Sequence, residues 1–267
     1  MSTNYKLSKD WRDASSIREI KEFLQSTSID ADLIPWLESD RRSGVRKLAA
    51  RISSKLQRGA EEDRRLELLL KTECDLQARG YVRIGGVDEV GAGPLAGPVV
   101  AAAVVVDLEH PVRGVKDSKK LSVKQRSRLE SVLLNNVRSY ALGWVEPREI
   151  DDINIFQASL LAMKRAVDGL EPPADYLLVD ARTIPDIRPP QMAIVGGDNL
   201  SYAIAAASIL AKEARDRYMI ELDSDYPEYG FAAHKGYGTA QHIAALRRCG
   251  PCPHHRHSFA PVAAALR

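Results

Sequence analysis

The stretch GGVDEVGAGPLAGPVVAAAVVV (residues 85–106) places two apolar runs on either side of a short loop rich in glycine. Both runs contain many valines, which favour strands, and we predict strands at residues 82–87 and 99–106. A parallel crossover needs about a dozen residues or more, and here Pro98 leads directly into the second run. This stretch therefore predicts two antiparallel neighbouring strands joined by a tight connection.

Further strand and helix patterns alternate after this stretch. Three more apolar runs predict strands, at residues 140–145, 176–179 and 192–195. A capping box at Ser122 and Gln125 predicts one helix, and apolar spacing predicts others over residues 150–167 and about 199–223. The alternation favours an α/β domain over an all-α or all-β one.

Residues 1–79 have helical spacing and no convincing strand pattern, with separate helices predicted around residues 45–58 and 66–76. We predict a small all-α N-terminal domain here, followed by a main domain of residues 80–267. Four cations form what we call the basic stripe: Lys47, Arg51, Lys55 and Arg58. Such a stripe is usually an exposed helix face, and contact with a nucleic-acid backbone is the sharper alternative.

The composition fits an ordinary soluble globular protein. The chain has 267 residues, of which 45% are hydrophobic and 28% charged, and its formal net charge of +2 is too small to indicate a partner. Three cysteines make no disulfide framework, and the N-terminus lacks the apolar core of a signal peptide. The most apolar run, residues 94–106, is too short to span a bilayer. We expect a cytoplasmic monomer without membrane contact.

Four acidic residues lie at the ends of predicted elements: Asp88, Glu89, Asp180 and Asp198. Asp180 ends the strand YLLVD, and Asp198 follows two glycines at the expected N-cap of an alanine-rich helix. Carboxylates are costly to bury without partners, and a shared all-oxygen site suits Mg²⁺ or Mn²⁺. Taken singly, each acid is more commonly a cap or a surface charge, and Asp is a preferred N-cap residue.

Asp88 and Glu89 are adjacent on the chain, which constrains how both can serve one site. Successive residues of a regular strand point to opposite faces of the sheet. We therefore expect either a distorted strand at Glu89 or a contribution from the Glu89 carbonyl oxygen.

The glycine loop permits several interpretations. Gly91, Gly93 and Ala96 match the G-x-G-x-x-G/A dinucleotide fingerprint, which is weak alone. A nucleotide-cofactor enzyme would need a helix directly after this loop, and a strand at residues 99–106 would exclude it. The backbone N–H groups of the loop are suited to a phosphate or sugar, and a plain tight connection is about as common an explanation.

Three other side chains are candidates for contact with a nucleic acid. Lys119 and Lys120 in DSKKLS stand just before a helix, where a basic loop suits a phosphodiester backbone, although a solvated loop is the more frequent case. Tyr237 in HKGYGT lies between two glycines, which suits stacking on a nucleotide, or simple packing over the loop.

The segment CGPCPHHRH (residues 249–257) contains residue types that bind zinc. A zinc site is disfavoured because no second pair of ligands lies at the usual distance in the sequence.

Over residues 81–262 the chain resembles ribonuclease HII, the bacterial type 2 ribonuclease H. Seven segments occur in the order of that family: GVDEVGAGPLAGPVVAAAV, DSKKLS, NIFQASLLAMKRAV, LLVDA, GGDNLSYAIAAASILAKEARD, HKGYGT and GPCPHHRHSFAPV. The resemblance implies a ribonuclease H-like fold, a mixed central sheet flanked by helices. The helical N-terminal extension is similar to one that only some members carry.

The resemblance also implies an activity and a set of site residues. The metal-binding catalytic acids fall on the four acidic residues above, the substrate-binding glycine loop on Gly91, Ala92 and Gly93, and the substrate-sensing tyrosine on Tyr237. The family cleaves the RNA strand of RNA–DNA hybrids and nicks on the 5′ side of a ribonucleotide embedded in duplex DNA. We expect two divalent ions, Mg²⁺ or Mn²⁺, and products with 5′-phosphate and 3′-hydroxyl ends.

One position departs from the family pattern. Members usually carry Arg or Lys between the two loop glycines, and this chain has Ala92. The departure affects substrate affinity and ribonucleotide recognition more than the metal chemistry. The alternative hypothesis is accordingly a hybrid-binding protein of the same fold that has weak or lost turnover.

Overall fold

The computed structural model describes residues 15–26 and 33–266. By its internal contacts the chain divides into two compact units, Met1–Arg64 and Arg65–Arg267. This division falls earlier in the chain than the predicted boundary after residue 79. Before the first strand, all regular elements of the described residues are helices, which confirms the predicted helical N-terminal region.

Within residues 15–26 and 33–80, four helices precede the sheet: α1 Ile17–Ser26, α2 Leu33–Glu38, α3 Ser43–Leu69 and α4 Lys71–Ala78. The first has a capping box, since the Glu19 amide donates to Ser16 Oγ at 3.3 Å and the Ser16 amide to Glu19 Oε2 at 2.6 Å. We predicted a break between residues 58 and 66, and the break instead falls at Leu70, between α3 and α4. Gly59 does not end α3, because a single glycine costs a helix only about 1 kcal/mol and good helix formers surround it.

Five strands form one sheet in the order β3-β2-β1-β4-β5. Their bounds are β1 Ile84–Val90, β2 Val99–Val105, β3 Ser139–Val145, β4 Tyr176–Asp180 and β5 Gln191–Ile194. β2 is antiparallel to both β1 and β3, and β4 is parallel to both β1 and β5. The predicted antiparallel pair and the mixed sheet are confirmed. Because a strand directly follows the glycine loop, the nucleotide-cofactor hypothesis is wrong.

The remaining helices follow the strands: α5 Val123–Leu134, α6 Pro147–Ile153, α7 Ile155–Asp168, α8 Tyr202–Asp225, α9 Phe231–His234, α10 Ala240–Cys249 and α11 Ala260–Ala265. The capping box of Ser122 and Gln125 is present at the start of α5. We predicted one helix over residues 150–167, and the structure has two. Asn154 separates them with φ of 68° while its side chain accepts the amides of Phe156 and Gln157.

Helices cover both faces of the sheet, and β2 is buried on both faces, which explains why all its residues are apolar. Ala102 and Val104 belong to a core that α8 covers, whereas Ala101 and Ala103 belong to a second core that α7 covers. A strand buried on both faces needs no alternation of polar and apolar residues. Gly86 allows α8 to approach closely, since a Cβ there would lie 2.0 Å from the Ala203 carbonyl carbon. Within the described residues, no helix is long and apolar enough to cross a bilayer.

Candidate active site

Two acidic residues lie where neighbouring parallel strands end. The pairing of β1 with β4 stops at Val87 and Val179, and Asp88 and Asp180 come next. Carboxylate oxygens of Asp88, Glu89 and Asp180 all lie within 4.8 Å of one another. We call these three residues the carboxylate cluster. Sites of open α/β sheets form at such carboxyl ends of strands.

Glu89 joins the carboxylate cluster although its strand is regular. β1 stays paired with β2 through Glu89 and Val90, and a carboxylate oxygen of Glu89 takes part in the cluster. The predicted distortion of the strand at Glu89 is therefore wrong, and the Glu89 side chain reaches the cluster from a regular strand. Because β1 has no β4 partner beyond Val87, that edge is open, and the longer glutamate side chain can fold toward Asp180.

Asp88 is the most buried member of the cluster, with 6% of its surface exposed. Burial raises the pKa of Asp88 well above its ordinary value, and the charges of Glu89 and Asp180 raise it further. A hydrogen bond from Ser208 opposes this shift. Ser208 is itself held by Ser118, whose Oγ lies 2.8 Å away. The cluster therefore carries crowded negative charge that a cation would stabilise.

Arg182 lies beside Glu89 on the chain segment that follows β4. Its Nη2 is 3.5 Å from Glu89 Oε1, and its guanidinium lies 5.0 Å from the centre of the Phe156 ring. Ala181 turns the chain toward this position with φ of 51°. Burial raises the pKa of Glu89, the Arg182 charge lowers it, and the Asp180 charge raises it again. Sequence reasoning missed Arg182, because nothing in its spacing distinguishes it from a surface arginine.

Asp198 lies next to the cluster on a short 3-10 turn, Gly197–Asn199, rather than within the set of three. Asp180 Oδ1 accepts the Gly197 amide at 2.7 Å, which ties this turn to the end of β4. The predicted N-cap role of Asp198 is wrong. Ser201 caps α8, since its side chain accepts the Ile204 amide, and buried Glu73 accepts both Ser201 Oγ at 2.6 Å and the Ala203 amide at 2.9 Å.

A fifth acid, Asp117, approaches Asp198 from the segment DSKKLS. It is 7% exposed, and its side chain accepts the Lys119 amide at 2.9 Å. Burial raises the pKa of Asp198, the Asp117 charge raises it further, and the Lys119 charge lowers it. Sequence reasoning noted the lysines of this segment and missed Asp117. The acid two residues before Lys119 was the available signal.

The two predicted lysines lie on the same side as Asp198. Lys119 Nζ is 3.6 Å from Asp198 Oδ2, and Lys120 Nζ donates to the side chain of Asn199. Although burial lowers it, the charges of Asp198 and Asp117 hold the pKa of Lys119 above its ordinary value. A cavity of about 480 Å³ opens beside Asp198, and Lys120 and Leu200 help to line it.

Two buried arginines that sequence reasoning missed hold the glycine loop by its carbonyl oxygens. Arg256 donates to the carbonyls of Gly91 (2.6 Å), Ala92 (3.1 Å) and Gly97 (2.7 Å). Arg215 donates to the carbonyls of Pro98, Ala96 and Lys235. Both side chains are fully buried. Their positions in the sequence look like those of ordinary surface arginines, so no pattern distinguished them.

The arginines leave the other side of the loop available. Within the described part of the chain, the amides of Gly91, Ala92 and Gly93 donate to no protein group. Gly91 needs its glycine, since its φ is 92° and a Cβ would lie 2.3 Å from Arg215 Nε. The Tyr237 ring lies over Gly93, with Cε1 3.7 Å from the place where a Cβ would be, and 43% of the residue is exposed. The loop and Tyr237 thus form one surface.

Comparison with known families agrees with this arrangement. The family described as "Ribonuclease HII" matches residues 85–262, and the family described as "Ribonuclease HII N-terminal domain" matches residues 16–77. The chain belongs to the ribonuclease HII family. The predicted resemblance is confirmed, and the helical N-terminal residues are a recognised part of ribonuclease HII.

Individual relatives cover nearly the whole chain. Ribonuclease HII of Desulfitobacterium hafniense (strain Y51) is 48% identical over 247 residues, which are 92% of this chain and 95% of that protein. Ribonuclease HII of Myxococcus xanthus (strain DK1622) is 49% identical over 91% of this chain and 83% of that protein. The crystal structure of ribonuclease H2 from Pyrococcus horikoshii OT3 superposes with a TM-score of 0.58 and 27% identity, covering 69% of this chain and 97% of that one.

Family membership makes the chain a hydrolytic nuclease with ribonuclease H activity and confirms the predicted ribonuclease H-like fold. The residues at the end of the sheet fit a divalent cation. The carboxylate cluster offers only oxygen donors, which hard cations prefer, and its buried acids repel one another in the absence of positive charge. The fit rests on this chain's own residues.

Proposed function

We propose that this ribonuclease HII cleaves the RNA strand of RNA–DNA hybrids and nicks duplex DNA on the 5′ side of an embedded ribonucleotide. The products would carry 5′-phosphate and 3′-hydroxyl ends. One observation carries the proposal: carboxylate oxygens of Asp88, Glu89 and Asp180 lie within 4.8 Å of one another at the ends of β1 and β4. Asp88 is buried and Glu89 and Asp180 are half-buried, so their crowded charges favour a bound cation between them.

The site would hold two divalent ions, Mg²⁺ or Mn²⁺. Asp88 would contact both, Asp198 would hold the ion on the side of the attacking water, and Asp180 with Glu89 the ion on the side of the leaving oxygen. Such ions would supply positive charge at the scissile phosphodiester and would lower the pKa of the attacking water, so that it loses a proton more readily and becomes a better nucleophile. The chain's part is to fix the acids. Ser208 fixes Asp88, Arg182 lies against Glu89, and the Gly197 amide holds Asp180.

The glycine loop and Tyr237 would recognise the ribonucleotide. The 2′-hydroxyl is both a donor and an acceptor and distinguishes RNA from DNA at a given position. The amides of Gly91, Ala92 and Gly93 are available to donate hydrogen bonds to ribose or phosphate oxygens, and Tyr237 lies over Gly93, where it would pack against the sugar. Recognition through the backbone does not need a side chain at Ala92, whose carbonyl is already held by Arg256.

Basic side chains would add affinity that does not depend on sequence. Lys119 and Lys120 flank Asp198, and the four residues of the basic stripe are exposed on α3. Contacts of lysine and arginine with phosphates release counterions, so this part of the affinity should weaken as salt increases. We propose that the helical N-terminal residues contact the nucleic acid through the basic stripe and that the protein acts as a cytoplasmic monomer.

The direct test uses a labelled DNA duplex that contains one ribonucleotide, with an all-DNA duplex of the same sequence as control. We expect one nick 5′ of the ribonucleotide in the presence of Mg²⁺ or Mn²⁺ and no product from the control. A long RNA–DNA hybrid serves as the second substrate. Replacing all four cations of the basic stripe with glutamine should raise the Kd for the hybrid and flatten its salt dependence while leaving cleavage at saturating substrate unchanged.

The alternative of a hybrid-binding protein without turnover gives a different result in the same assay. It predicts salt-dependent binding of the hybrid with no nicking in either metal. If the protein leaves both duplexes intact, and Ala92→Arg does not restore cutting, the proposed function is rejected.

A further inference from the structure

Three buried histidines form a cluster beside the glycine loop. His234, His242 and His255 are 9%, 0% and 1% exposed. The rings of His234 and His242 stack with centroids 4.5 Å apart, and the Tyr229 ring lies 4.8 Å from that of His255. Burial is costly for a charged imidazole and lowers the pKa of both His242 and His255, so in these two rings each nitrogen has one defined role. Burial lowers the pKa of His255 to about 4, with a further contribution from repulsion by His242 when that ring is protonated.

The hydrogen-bond partners assign the tautomer of each ring in turn. The Cys252 amide donates to His255 Nδ1 at 3.0 Å, so that nitrogen is an acceptor and the proton of His255 is on Nε2. His255 Nε2 lies 3.0 Å from His242 Nε2, and it must donate there. The remaining proton of His242 is therefore on Nδ1, which lies 3.0 Å from the Tyr237 carbonyl oxygen. The contacts form one directed chain from Cys252 to Tyr237.

This series of hydrogen bonds ends at Tyr237, the residue that borders the glycine loop. Tyr237 is exposed on the loop side, whereas its carbonyl faces the buried histidines. The neighbouring Gly236 has φ of 83°, and its carbonyl accepts the Leu95 amide at 2.8 Å. His234 Nδ1 lies 3.3 Å from the Gly236 amide. Small changes in the histidines would therefore tilt the Tyr237 backbone against the glycine loop.

We propose that His242 and His255 are positioning residues for Tyr237: His255 fixes the tautomer of His242, and His242 fixes the backbone of Tyr237 over Gly93. The proposal deepens the proposed function and rests on it for the contact between Tyr237 and the ribose. Neither histidine would touch the substrate. A protonated His242 or a reversed tautomer would place two donors against each other and break the chain.

Substitutions separate this role from packing alone. His242→Asn keeps an N–H close to the position of Nδ1, and His242→Leu removes the donor. Tyr229→Phe is the matched control in the same cluster, since it removes a 2.7 Å bond from the Tyr229 hydroxyl to the Gly250 carbonyl and leaves the histidine chain intact. The protein is used at full length, and each variant's melting temperature is recorded beside its cleavage rate.

We expect removal of the His242 donor to reduce cleavage only when Tyr237 is present. At saturating substrate, His242→Leu should lower the rate at a single embedded ribonucleotide about tenfold, as for other residues that orient a functional group. His242→Asn should recover most of it, and Tyr229→Phe should lower stability without changing the rate. In a Tyr237→Ala background, His242→Leu should have almost no further effect, because the two residues act as one unit. An equal loss in both backgrounds would overturn the proposal, as would equal rates for His242→Leu and the wild type.

A spectroscopic measurement decides the proposal without any activity. In the wild type at neutral pH, the ¹⁵N shifts should show His242 protonated on Nδ1 and His255 on Nε2, and His242→Leu should move the ¹³C resonance of the Tyr237 carbonyl. The opposite tautomers, or an unchanged resonance of the Tyr237 carbonyl, would overturn the proposal that the two histidines position Tyr237. If the wild type does not cut while these signals are as expected, the proposed function fails and the positioning of Tyr237 stands.

Discussion

Asp180 Oδ1 accepts a hydrogen bond of 2.7 Å from the Gly197 amide. This bond joins the last residue of β4 to the turn that carries Asp198, two segments that are separate in the sequence. The turn is close-packed there, since a Cβ on Gly197 would lie 2.4 Å from Ile204 Cδ1 and 3.3 Å from Asp180 Oδ1. This contact therefore links the segments of two of the four predicted metal ligands.

The Asp180→Asn substitution tests whether the charge of Asp180, rather than this bond, is needed. The asparagine oxygen can still accept the Gly197 amide, while the negative charge is gone. We expect cleavage to fall roughly a thousandfold, because charge stabilisation by metal ions is worth several kcal/mol. The measurement is the nicking rate at saturating Mg²⁺, with circular dichroism to check the fold. An unchanged rate would remove Asp180 from the metal site.

Replacing Asp88 with asparagine should separate stability from activity. Asp88 is buried and repelled by Glu89 and Asp180, so its neutral analogue should stabilise the metal-free protein. We expect the melting temperature in EDTA to rise by about 2–4 °C for each kcal/mol gained, while cleavage is lost. Added Mg²⁺ should stabilise the wild type more than the variant. A lower melting temperature for Asp88→Asn in EDTA would contradict the repulsion.

Ala92→Arg should strengthen substrate binding. The Ala92 side chain is partly exposed, and the backbone carbonyl of residue 92 would stay bonded to Arg256. A longer side chain can therefore extend toward the substrate without disturbing the loop. One new phosphate contact should steepen the slope of log Kd against log salt by about 0.9. Ala92→Gln is the control of similar reach without charge. Equal salt slopes for the two variants would show that position 92 does not face the phosphates.

Arg256→Lys should destabilise the protein and loosen the glycine loop. Arg256 donates to three carbonyls at once, which a lysine ammonium on a single flexible stem cannot reproduce. We expect the free energy of unfolding, measured in urea, to fall by about 3 kcal/mol. Arg247→Lys, an exposed position on α10, is the matched control and should be neutral. Equal stability of the two variants would mean that the buried contacts contribute little.

Acid should destabilise the fold through His255. Its folded pKa is about 4 because it is buried, whereas an ordinary histidine in the unfolded chain titrates near 6.5. Between these values the unfolded chain binds a proton that the folded protein does not, so stability is lost as pH falls. The slope from this one group is at most about 1.4 kcal/mol per pH unit. Urea titrations from pH 7 to 4.5 should give a smaller slope for His255→Gln than for the wild type.

The sequence by itself was enough to predict the succession of strands and helices along the main domain and the antiparallel pairing of the first two strands. Both depend on local patterns: valine runs, capping residues, and a loop too short for a crossover. The family segments were likewise visible, because their motifs are contiguous in the chain. Local signals also failed at particular places. α3 runs through Gly59 because one glycine costs a helix little, and Asn154 splits a predicted helix because its φ is 68° and its side chain caps the second half.

Only the tertiary structure decided how the site is held. The acids come together because β1 and β4 are parallel neighbours, and strand order is a relation between segments far apart in the chain. The same is true of Asp117 beside Asp198, of Arg182 beside Glu89, and of the histidine chain that ends at Tyr237. A sequence records which side chains are available. Their burial and their hydrogen-bond partners, which set charge and direction, exist only once distant segments pack together.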